Sequence, residues 1–410
     1  IIKFMASFGQ NGNDNIIFRQ VINYTDFYTI SGANSVWSDS ELAYKGNPNI
    51  TWEKSNNFNT GFDFSFWRGK LNGSAEYYLR QPSDMLFNLP GAPSLGYSSI
   101  PSNVGSMRNS GFELSLNYQA VDTKDFGLEF FVNATFPKNR IIKLSPDILN
   151  ANGAWEAASN RLVEEGESYY RLWVVHYAGV DELGSALYVA KRNQLDDKGE
   201  PIVDHYIPAT TPDGEDTPVY KTEEYLTTDY VTARNTNRKT TKDIMPDVYG
   251  GFGFNIDFHG FDLSVGLSYQ LGGKIYDTGY ATYMNPGLTS SLGKTWHKDM
   301  LKSWTYENTN TDVPRMGNEG ALVEYASSYS DRFIISSDYL SLNNITLGYT
   351  VPESLVKKLY LSGLRVYFAA ENVCMISARR GLDPRQGFIS SNNLTYSPIR
   401  TLTGGLRVSF

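Results

Sequence analysis

Two consecutive segments between Tyr249 and Leu271 alternate strictly between apolar and polar side chains. A period of two places successive side chains on opposite faces of an extended chain, so each segment is predicted to be a β-strand. Only His259 and Gly260 separate the segments, which predicts a hairpin with a tight turn. Each arm has about ten residues, the length of a strand that crosses a bilayer at a tilt. One aromatic face and one small, polar face are typical of a membrane barrel with a wet interior.

The same alternation recurs along most of the chain and predicts further strands. They are Ile2–Gly9, Asn57–Trp67, Leu71–Arg80, Asn109–Gln119, Leu128–Phe136, Tyr339–Thr350, Leu364–Ala370 and Leu402–Phe410. A slip of phase between Leu342 and Ile345 predicts a β-bulge. Pro82–Met107 is rich in Pro, Gly and Ser and is predicted to be a loop. The polar stretch Pro137–Met245 is expected to be solvated, with one clear strand-like run at Tyr169–Tyr177.

Alternation of strand direction tests this arrangement. If Phe410 and the turns at Arg68 and His259 lie on one side, all the long loops fall on the other. Those loops are 10–55, 81–108, 137–245, 272–337 and 373–401. Bacterial barrels keep short turns in the periplasm and long loops outside. Tyr169–Tyr177 then either does not cross or returns through Ala186–Ala190. The predicted fold is all-β, a transmembrane antiparallel β-barrel wall of about ten to twelve strands.

Composition agrees with this fold and excludes several classes of protein. The 28 Tyr, 22 Phe and 36 Gly among 410 residues are typical of strands and turns. A mean hydropathy of -0.36 excludes a helical membrane protein. A net charge of -8 argues against binding to nucleic acid, which favours basic surfaces. The single Cys374 excludes a disulfide framework and a thiolate metal cage.

No motif for metal binding or catalysis is present. His176, His205, His259 and His297 are scattered along the chain. Acidic groups such as Asp196, Asp197 and Glu200 could coordinate Ca²⁺ through loop oxygens, but their spacing is not that of an EF-hand, and solvated loop charge is the favoured interpretation. The glycines of YGGFGF lie within a strand and are therefore not a dinucleotide-binding fingerprint. We predict no catalytic residue, no metal site and no cofactor.

Several separated segments resemble the SusC/RagA-type TonB-dependent transporters of Bacteroidetes. They follow the family's order along nearly the whole chain, and NVGSMRNSGFELSLNY carries the distinctive N-x-G-F-E core. The segments are Ala6–Asn13, Pro48–Phe64, Asn103–Tyr118, Met245–Val265, Asp338–Pro352, Leu364–Val373 and the C-terminal TGGLRVSF.

The resemblance implies a 22-stranded barrel in the outer membrane, with an N-terminal plug and a TonB box. It also implies a SusD-like surface lipoprotein as partner, dimers of such pairs, and import of oligosaccharides or oligopeptides powered through the TonB complex. The signal peptide, TonB box, plug and first half of that barrel have no counterpart in this sequence. Residues 1–410 are therefore expected to be the C-terminal part of the barrel, an integral outer-membrane protein and not an enzyme.

Two alternatives remain open on the sequence. A passive porin or adhesin of about twelve strands could be complete in itself. An outer-membrane hydrolase would need a nucleophile and a base facing each other at the rim of the barrel.

Candidate functional residues fall into two groups. External-loop candidates could stack on sugar rings or peptide side chains or fix polar groups, although they could equally fill loop cores or join the interfacial aromatic belt. These are Trp155, Trp173, Trp296, Trp304, Arg315, Asp383, Arg385 and Tyr396. Lumen-facing candidates, some of which are expected to pair across strands or with the plug, are Glu113, Asp257, Asp262, Arg365, Glu371 and Arg407.

Overall fold

The computed structural model describes most of the chain. The described residues are 1–13, 24–31, 39–90, 94, 96–97, 99–149, 153–158, 160–207, 216–287, 295–317, 329–387 and 398–410. Among them, no helix has both the length and the apolar character needed to cross a membrane.

Strands dominate the described residues. They are β1 (Ile2–Asn13), β2 (Phe27–Ser31), β3 (Asp39–Tyr44), β4 (Glu53–Phe66), β5 (Leu71–Ser83), β6 (Leu86–Pro90), β7 (Ser99–Asn103), β8 (Ser106–Asp122), β9 (Phe126–Lys143), β10 (Trp155–Ala158), β11 (Arg161–Val163), β12 (Arg171–Val175), β13 (Tyr177–Val180), β14 (Ala186–Asn193), β15 (Val203–Ile207), β16 (Thr217–Tyr220), β17 (Thr222–Thr227), β18 (Arg238–Asp243), β19 (Val248–Phe258), β20 (Phe261–Leu271), β21 (Lys274–Tyr276), β22 (Ile334–Ser336), β23 (Tyr339–Thr350), β24 (Gly363–Ser377) and β25 (Thr401–Ser409). Short α-helices cover Tyr230–Thr236, Thr278–Tyr283 and Glu353–Val356.

Ten strands form one antiparallel sheet, in the order β1-β4-β5-β8-β9-β19-β20-β23-β24-β25. Each strand pairs with the next sheet strand along the chain, so the connections alternate between the two ends of the sheet. One end carries the short turns 67–70, 123–125, 259–260 and 351–362. The other end carries the long connections 14–52, 84–105, 144–247, 272–338 and 378–400. The predicted strands and the separation of long loops from short turns are confirmed.

Cross-strand register keeps most apolar and polar side chains on separate faces through the middle of the sheet. One row of directly opposed residues reads Phe4, Phe62, Ala75, Leu114, Ala134, Gly250, Tyr269, Leu340 and Ile376. The adjacent row reads Lys3, Asp63, Ser74, Ser115, Asn133, Gly251, Ser268, Ser341 and Met375. Large side chains on the apolar face stay exposed, as Phe4 is at 79%. Exposed apolar surface on this scale belongs against lipid.

Two local predictions along the sheet are also confirmed. His259 and Gly260 have positive φ angles of 48° and 86°, as the two-residue hairpin between β19 and β20 requires. The register of β23 shifts between Leu342 and Asn344 against both neighbouring strands, which is the predicted bulge. The bulge restores the phase of the apolar face beyond Asn343.

The loop prediction for Pro82–Met107 was wrong in part. β5 runs on to Ser83, and β6 and β7 form a separate hairpin in which Asn88 pairs with Pro101. A two-stranded hairpin tolerates proline because a strand without a second neighbour needs no further N–H donor. Leu86 is buried, so the hairpin is packed against the rest of the protein.

The prediction of a merely solvated region before Met245 was also wrong. A buried core joins the connection between β9 and β19 to the connection between β20 and β23. Its members are Leu172, Val174, Val175, Tyr177, Ala186, Tyr188, Ala190, Tyr230, Ala233, Ile244, Tyr276, Ala281, Met284, Met300, Val313 and Phe333. We call this unit, residues 168–207, 216–246, 273–287, 295–317 and 329–337, the external platform.

Strand pairing within the platform settles how many strands join the sheet. The predicted run Tyr169–Tyr177 contains β12, which pairs with β18, and Ala186–Ala190 lies in β14, which pairs with β13 and β17. Neither segment contacts the ten-stranded sheet through strand pairing. The two additional crossings therefore do not form, and the ten strands of the sheet are the crossings in the described chain.

Close packing between β9, β19 and β20 gives a test of the cross-strand register in the ten-stranded sheet. A Cβ atom at Gly253 would lie 2.1 Å from the carbonyl oxygen of Val265 and 2.5 Å from the ring of Phe131. We expect Gly253→Val, made in the full-length protein, to overpack the sheet by about 1–3 kcal/mol and to lower the yield of folded barrel. Heat-modifiable migration on SDS gels measures that yield. Gly127→Val on the same sheet is the matched control, because the nearest atom to a Cβ there lies at 3.5 Å, an ordinary contact. Equal yields of the two variants would contradict the register.

Candidate functional site

Trp155 belongs to a small apolar cluster between the sheet and the platform. Its ring packs edge-on to Phe87, with the centroids 5.0 Å apart, and it contacts the buried group Ile141, Leu144 and Val163. A cavity of about 220 Å³ beside it is lined mainly by apolar side chains. The structure therefore places Trp155 in a loop core.

Trp173 and Arg238 stack on neighbouring strands of the platform. The guanidinium carbon of Arg238 lies 3.1 Å from the centroid of the Trp173 ring, and its Nη2 donates to the Glu156 carboxylate at 3.4 Å. Burial lowers the pKa of Arg238, and the charge of Glu156 opposes that shift. One face of the Trp173 ring is thus occupied by a cation of the protein itself.

Trp304 and Arg315 lie where two platform segments meet. Trp304 is 7% exposed, and its backbone N–H donates to Val313 at 2.9 Å. The Arg315 backbone N–H donates to the Gly184 carbonyl at 2.8 Å. A Cβ at Gly184 would lie 2.6 Å from the Trp304 ring, so the two segments approach as closely as glycine permits. Trp304 thus packs between segments and presents little ring surface to solvent.

Trp296 differs from the other three predicted tryptophans in its exposure. It is 40% exposed, while its ring nitrogen donates to the carbonyl of Asn285 at 3.0 Å. The hydrogen bond fixes the edge of the ring and leaves an aromatic surface open. Of the predicted aromatic residues within the described ranges, Trp296 is the best placed to stack on a ligand.

Asp383 and Arg385 pair with each other and anchor the segment after β24. Asp383 is 1% exposed and accepts hydrogen bonds from Nε and Nη2 of Arg385, both at 2.8 Å. Nη1 of Arg385 donates to the Ser341 hydroxyl on β23 at 3.1 Å. The hydrogen bond to Asp383 raises the pKa of Arg385, and burial opposes it. Tyr396, the remaining external candidate, lies outside the described residues.

Sequence reasoning missed a second buried ion pair between the external segments. Asp277 is 0% exposed and accepts a hydrogen bond from the Tyr280 backbone N–H at 2.9 Å as the N-cap of its helix. Nε of Arg379 donates to the same carboxylate at 2.7 Å, and the guanidinium lies over the Tyr280 ring. The N-cap was readable from Asp before a helix start, but the partner lies 102 positions along the chain and leaves no local signal.

All six predicted lumen-facing residues lie on the polar face of the sheet. Asp262 and Arg365 contact each other, with Nε donating at 3.1 Å, and this bears out the expected pairing across strands. In the register Asp257 lies opposite Asp262, and Arg365 lies opposite Arg407. Glu113 lies opposite Glu76, and Glu371 opposite Asn344. That this face lines a lumen stays a prediction.

The described residues contain no grouping of three or more His, Cys, Asp or Glu side chains suited to a metal ion. Asp196 instead closes a turn, because its carboxylate accepts hydrogen bonds from the backbone N–H groups of Lys198 and Glu200. The Glu200 hydrogen bond is the main cause of a lowered Asp196 pKa. His176 lies 2.5 Å from the Asp331 carboxylate and links the two platform segments.

Comparison with known proteins decides the family. The model described as "TonB dependent receptor-like, beta-barrel" matches residues 7–230, more than half of the chain. The chain belongs to the TonB-dependent receptor β-barrel family. This is a family of receptors of the outer membrane, so the predicted fold and location are confirmed, and it is not a family of enzymes.

Individual relatives confirm the resemblance to the SusC/RagA type. TonB-dependent receptor P3 of Formosa agariphila is 27% identical over all of this chain and 39% of its own length. TonB-dependent receptor SusC of Bacteroides thetaiotaomicron is 25% identical, again over the whole chain and 37% of its own length. The chain thus spans about two-fifths of these relatives. The RagAB peptide importer in its closed-closed state superposes with a TM-score of 0.76 at 24% identity, over the whole chain and 41% of the neighbour.

The buried pair Asp277–Arg379 allows a prediction about the external segments. Arg379→Met leaves a carboxylate buried without its partner, which costs about 3–5 kcal/mol. We expect the full-length protein in detergent to be cut faster by protease in the platform. Arg380→Met removes the same charge at an exposed position and serves as the control.

A second variant separates loss of the charge pair from loss of packing. Adding Asp277→Asn to Arg379→Met removes the uncompensated charge and is expected to restore part of the protease resistance. If the double variant is as sensitive as Arg379→Met alone, the buried charge is not the cause.

Proposed function

We propose that this chain forms part of a TonB-dependent importer that carries oligosaccharides or oligopeptides across the outer membrane. The observation that carries the proposal is a ten-stranded wall with one lipid-type face and one polar face, topped by a packed platform. A polar wall lines a path for hydrophilic solutes, and folded external segments can hold a binding surface in place.

The ten strands are proposed to be the C-terminal share of a barrel of 22 strands. β1 and β25 each pair with one neighbour within the chain. In lipid every backbone polar group needs a partner, and we propose that further strands of the same wall pair with both edges. Coverage of about two-fifths of each relative supports the assignment. No covalent chemistry, metal or cofactor is required of these residues.

A SusD-like lipoprotein is the proposed partner, and the platform offers a surface for it. Leu301 and Tyr306 are 91% and 89% exposed. The Tyr306 ring lies 5.1 Å from that of Trp304, which also packs against the segment carrying the exposed Leu183. We call Leu183, Leu301 and Tyr306 the platform patch. Exposed apolar residues on a rigid support are typical of protein interfaces.

Transport would then proceed without movement of the wall. Ligand binds between the lipoprotein and the platform, and a plug that is pulled through TonB opens the polar path. Family membership favours this energised mechanism over a passive porin or adhesin.

Uptake measurements test the proposal and identify the substrate class. Radiolabelled oligosaccharides and oligopeptides are supplied to cells with the full-length gene, to a deletion strain, and to a strain lacking TonB. We expect one class to enter only when both the gene and TonB are present. Uptake that needs the gene but not TonB would establish the passive porin, and uptake unaffected by the deletion would overturn import by this protein.

Trp296 is expected to contribute to binding of that substrate. Trp296→Ala should raise the substrate concentration needed for half-maximal uptake about fivefold or more, because stacked aromatic residues often dominate binding. Trp67→Ala is the control, since Trp67 is exposed on a short turn at the opposite end of the sheet. Equal effects of both substitutions would show a general loss of barrel stability.

The platform patch predicts where the lipoprotein binds. Leu301→Glu with Tyr306→Glu should reduce copurification of the partner, because burying two carboxylates in an apolar contact is costly. The matched control is Leu355→Glu with Tyr360→Glu, two exposed residues on the short-turn side of the sheet. Undiminished copurification of the partner with the Leu301/Tyr306 variant would exclude the patch from the interface.

A further inference from the structure

A group of cations lies on the apolar face of the sheet, at its loop end. On β8 and β9, Phe112 lies opposite Phe136, Ser110 opposite Lys138, and Arg108 opposite Arg140. Residues two apart share a face, so Lys138 and Arg140 follow Phe136 on the lipid side at about 7 Å and 14 Å along the strand. Along β9 the exposed aromatic residues of this face therefore end at Phe136, and positively charged residues begin two positions later at Lys138.

These three cations form no ion pair in the described part of the protein. Arg108, Lys138 and Arg140 are all exposed, and none of the described acidic side chains forms an ion pair with them. Arg108 and Arg140 are directly opposed across two strands, an arrangement in which like charges repel. An anion held between them would remove that repulsion.

A cavity opens beside the cations, between the sheet and the platform. Its volume is about 980 Å³, and its lining includes Phe136, Arg108, Lys138 and Arg140. On the platform side the charged lining residues are Arg171, Glu167, Asp243 and Asp247.

Part of that platform charge is already neutralised inside the protein. Arg171 is paired with Glu164 and lies 3.6 Å from Glu167, whereas Asp243, which accepts a hydrogen bond from the Met245 backbone, and Asp247 keep their negative charge. The excess positive charge thus lies on the sheet side of the cavity, next to the lipid-type face.

We propose that Arg108, Lys138 and Arg140 bind the phosphate of a lipid headgroup in the outer leaflet. Guanidinium groups bind phosphate oxygens in a bidentate manner, and lysine adds a point charge. The position favours a lipid over a transported solute, because the cations share the face that carries the exposed aromatics and not the polar face. Acyl chains of the same lipid would continue along Phe136 and Phe112. This inference does not rest on the proposed import.

Lipid retention by the purified full-length protein tests the proposal. Diphosphoryl lipid A, the same lipid without phosphates, and inorganic phosphate are titrated separately, and bound molecules are counted by native mass spectrometry. We expect the diphosphoryl lipid to bind about tenfold or more tightly than the dephosphorylated lipid. Arg108→Gln, Lys138→Gln and Arg140→Gln together should abolish that difference.

The control variant neutralises three exposed cations at the short-turn end, Arg68→Gln, Lys124→Gln and Lys358→Gln. It should keep the preference for the phosphorylated lipid, and heat-modifiable migration should show that both variants fold. Equal binding of the two lipids by the unmodified protein would overturn the proposal. Inorganic phosphate that binds as tightly as the lipid would assign the site to free phosphate and overturn the lipid assignment.

Discussion

The structure depends on one constraint, the phase of alternation shared by ten neighbouring strands. Directly opposed residues keep a single face apolar from Phe4 on β1 to Ile376 on β24. A slip of one residue in any strand would turn its aromatic side chains to the polar face and its carboxylates to lipid. The bulge at Asn343 shows how strictly the phase is kept, because the extra residue brings Ile345 and Leu347 back to the apolar side. Hydrogen bonds between strands supply cohesion, and the register decides what each face can contact.

The platform is held by a different kind of interaction. Its core buries Tyr188 and Phe333 as a soluble protein would, and its two segments are joined by polar contacts such as Val175 to Tyr329, 3.0 Å between backbone atoms. Asp277 and Arg379 then tie a third segment to it through a buried pair. Because sheet and platform use separate cores, ligand-contacting residues can vary without altering the strands. The sheet therefore sets the position of the platform, whereas the internal packing of the platform depends on its own buried core.

This difference explains what the sequence could predict. Alternation is local, so the strands around His259 and the bulge near Asn343 could be located from neighbouring residues alone. The platform core is not local, since its members come from connections separated by whole strands and none has a long amphipathic period. A tryptophan such as Trp304 has the same chemistry whether it binds ligand or fills a core, and only its 7% exposure distinguishes the two. Asp262 with Arg365 could be expected from a shared face, whereas Asp277 with Arg379 could not.

Charged side chains are arranged differently on the polar face of the sheet, in the platform and on the apolar face of the sheet. On the polar face, Arg365 is satisfied by Asp262 across the sheet, and in the platform Arg385 is satisfied by the buried Asp383. Pairing of this kind is what desolvation demands, because an isolated buried charge is too costly to retain. Arg108 and Arg140 follow neither pattern, although they are opposed on adjacent strands. Arg365 and Arg407 are also opposed on adjacent strands, but Asp262 pairs with Arg365 there, whereas no described carboxylate forms an ion pair with Arg108 or Arg140. Their arrangement is therefore better explained by a partner that the chain does not itself supply.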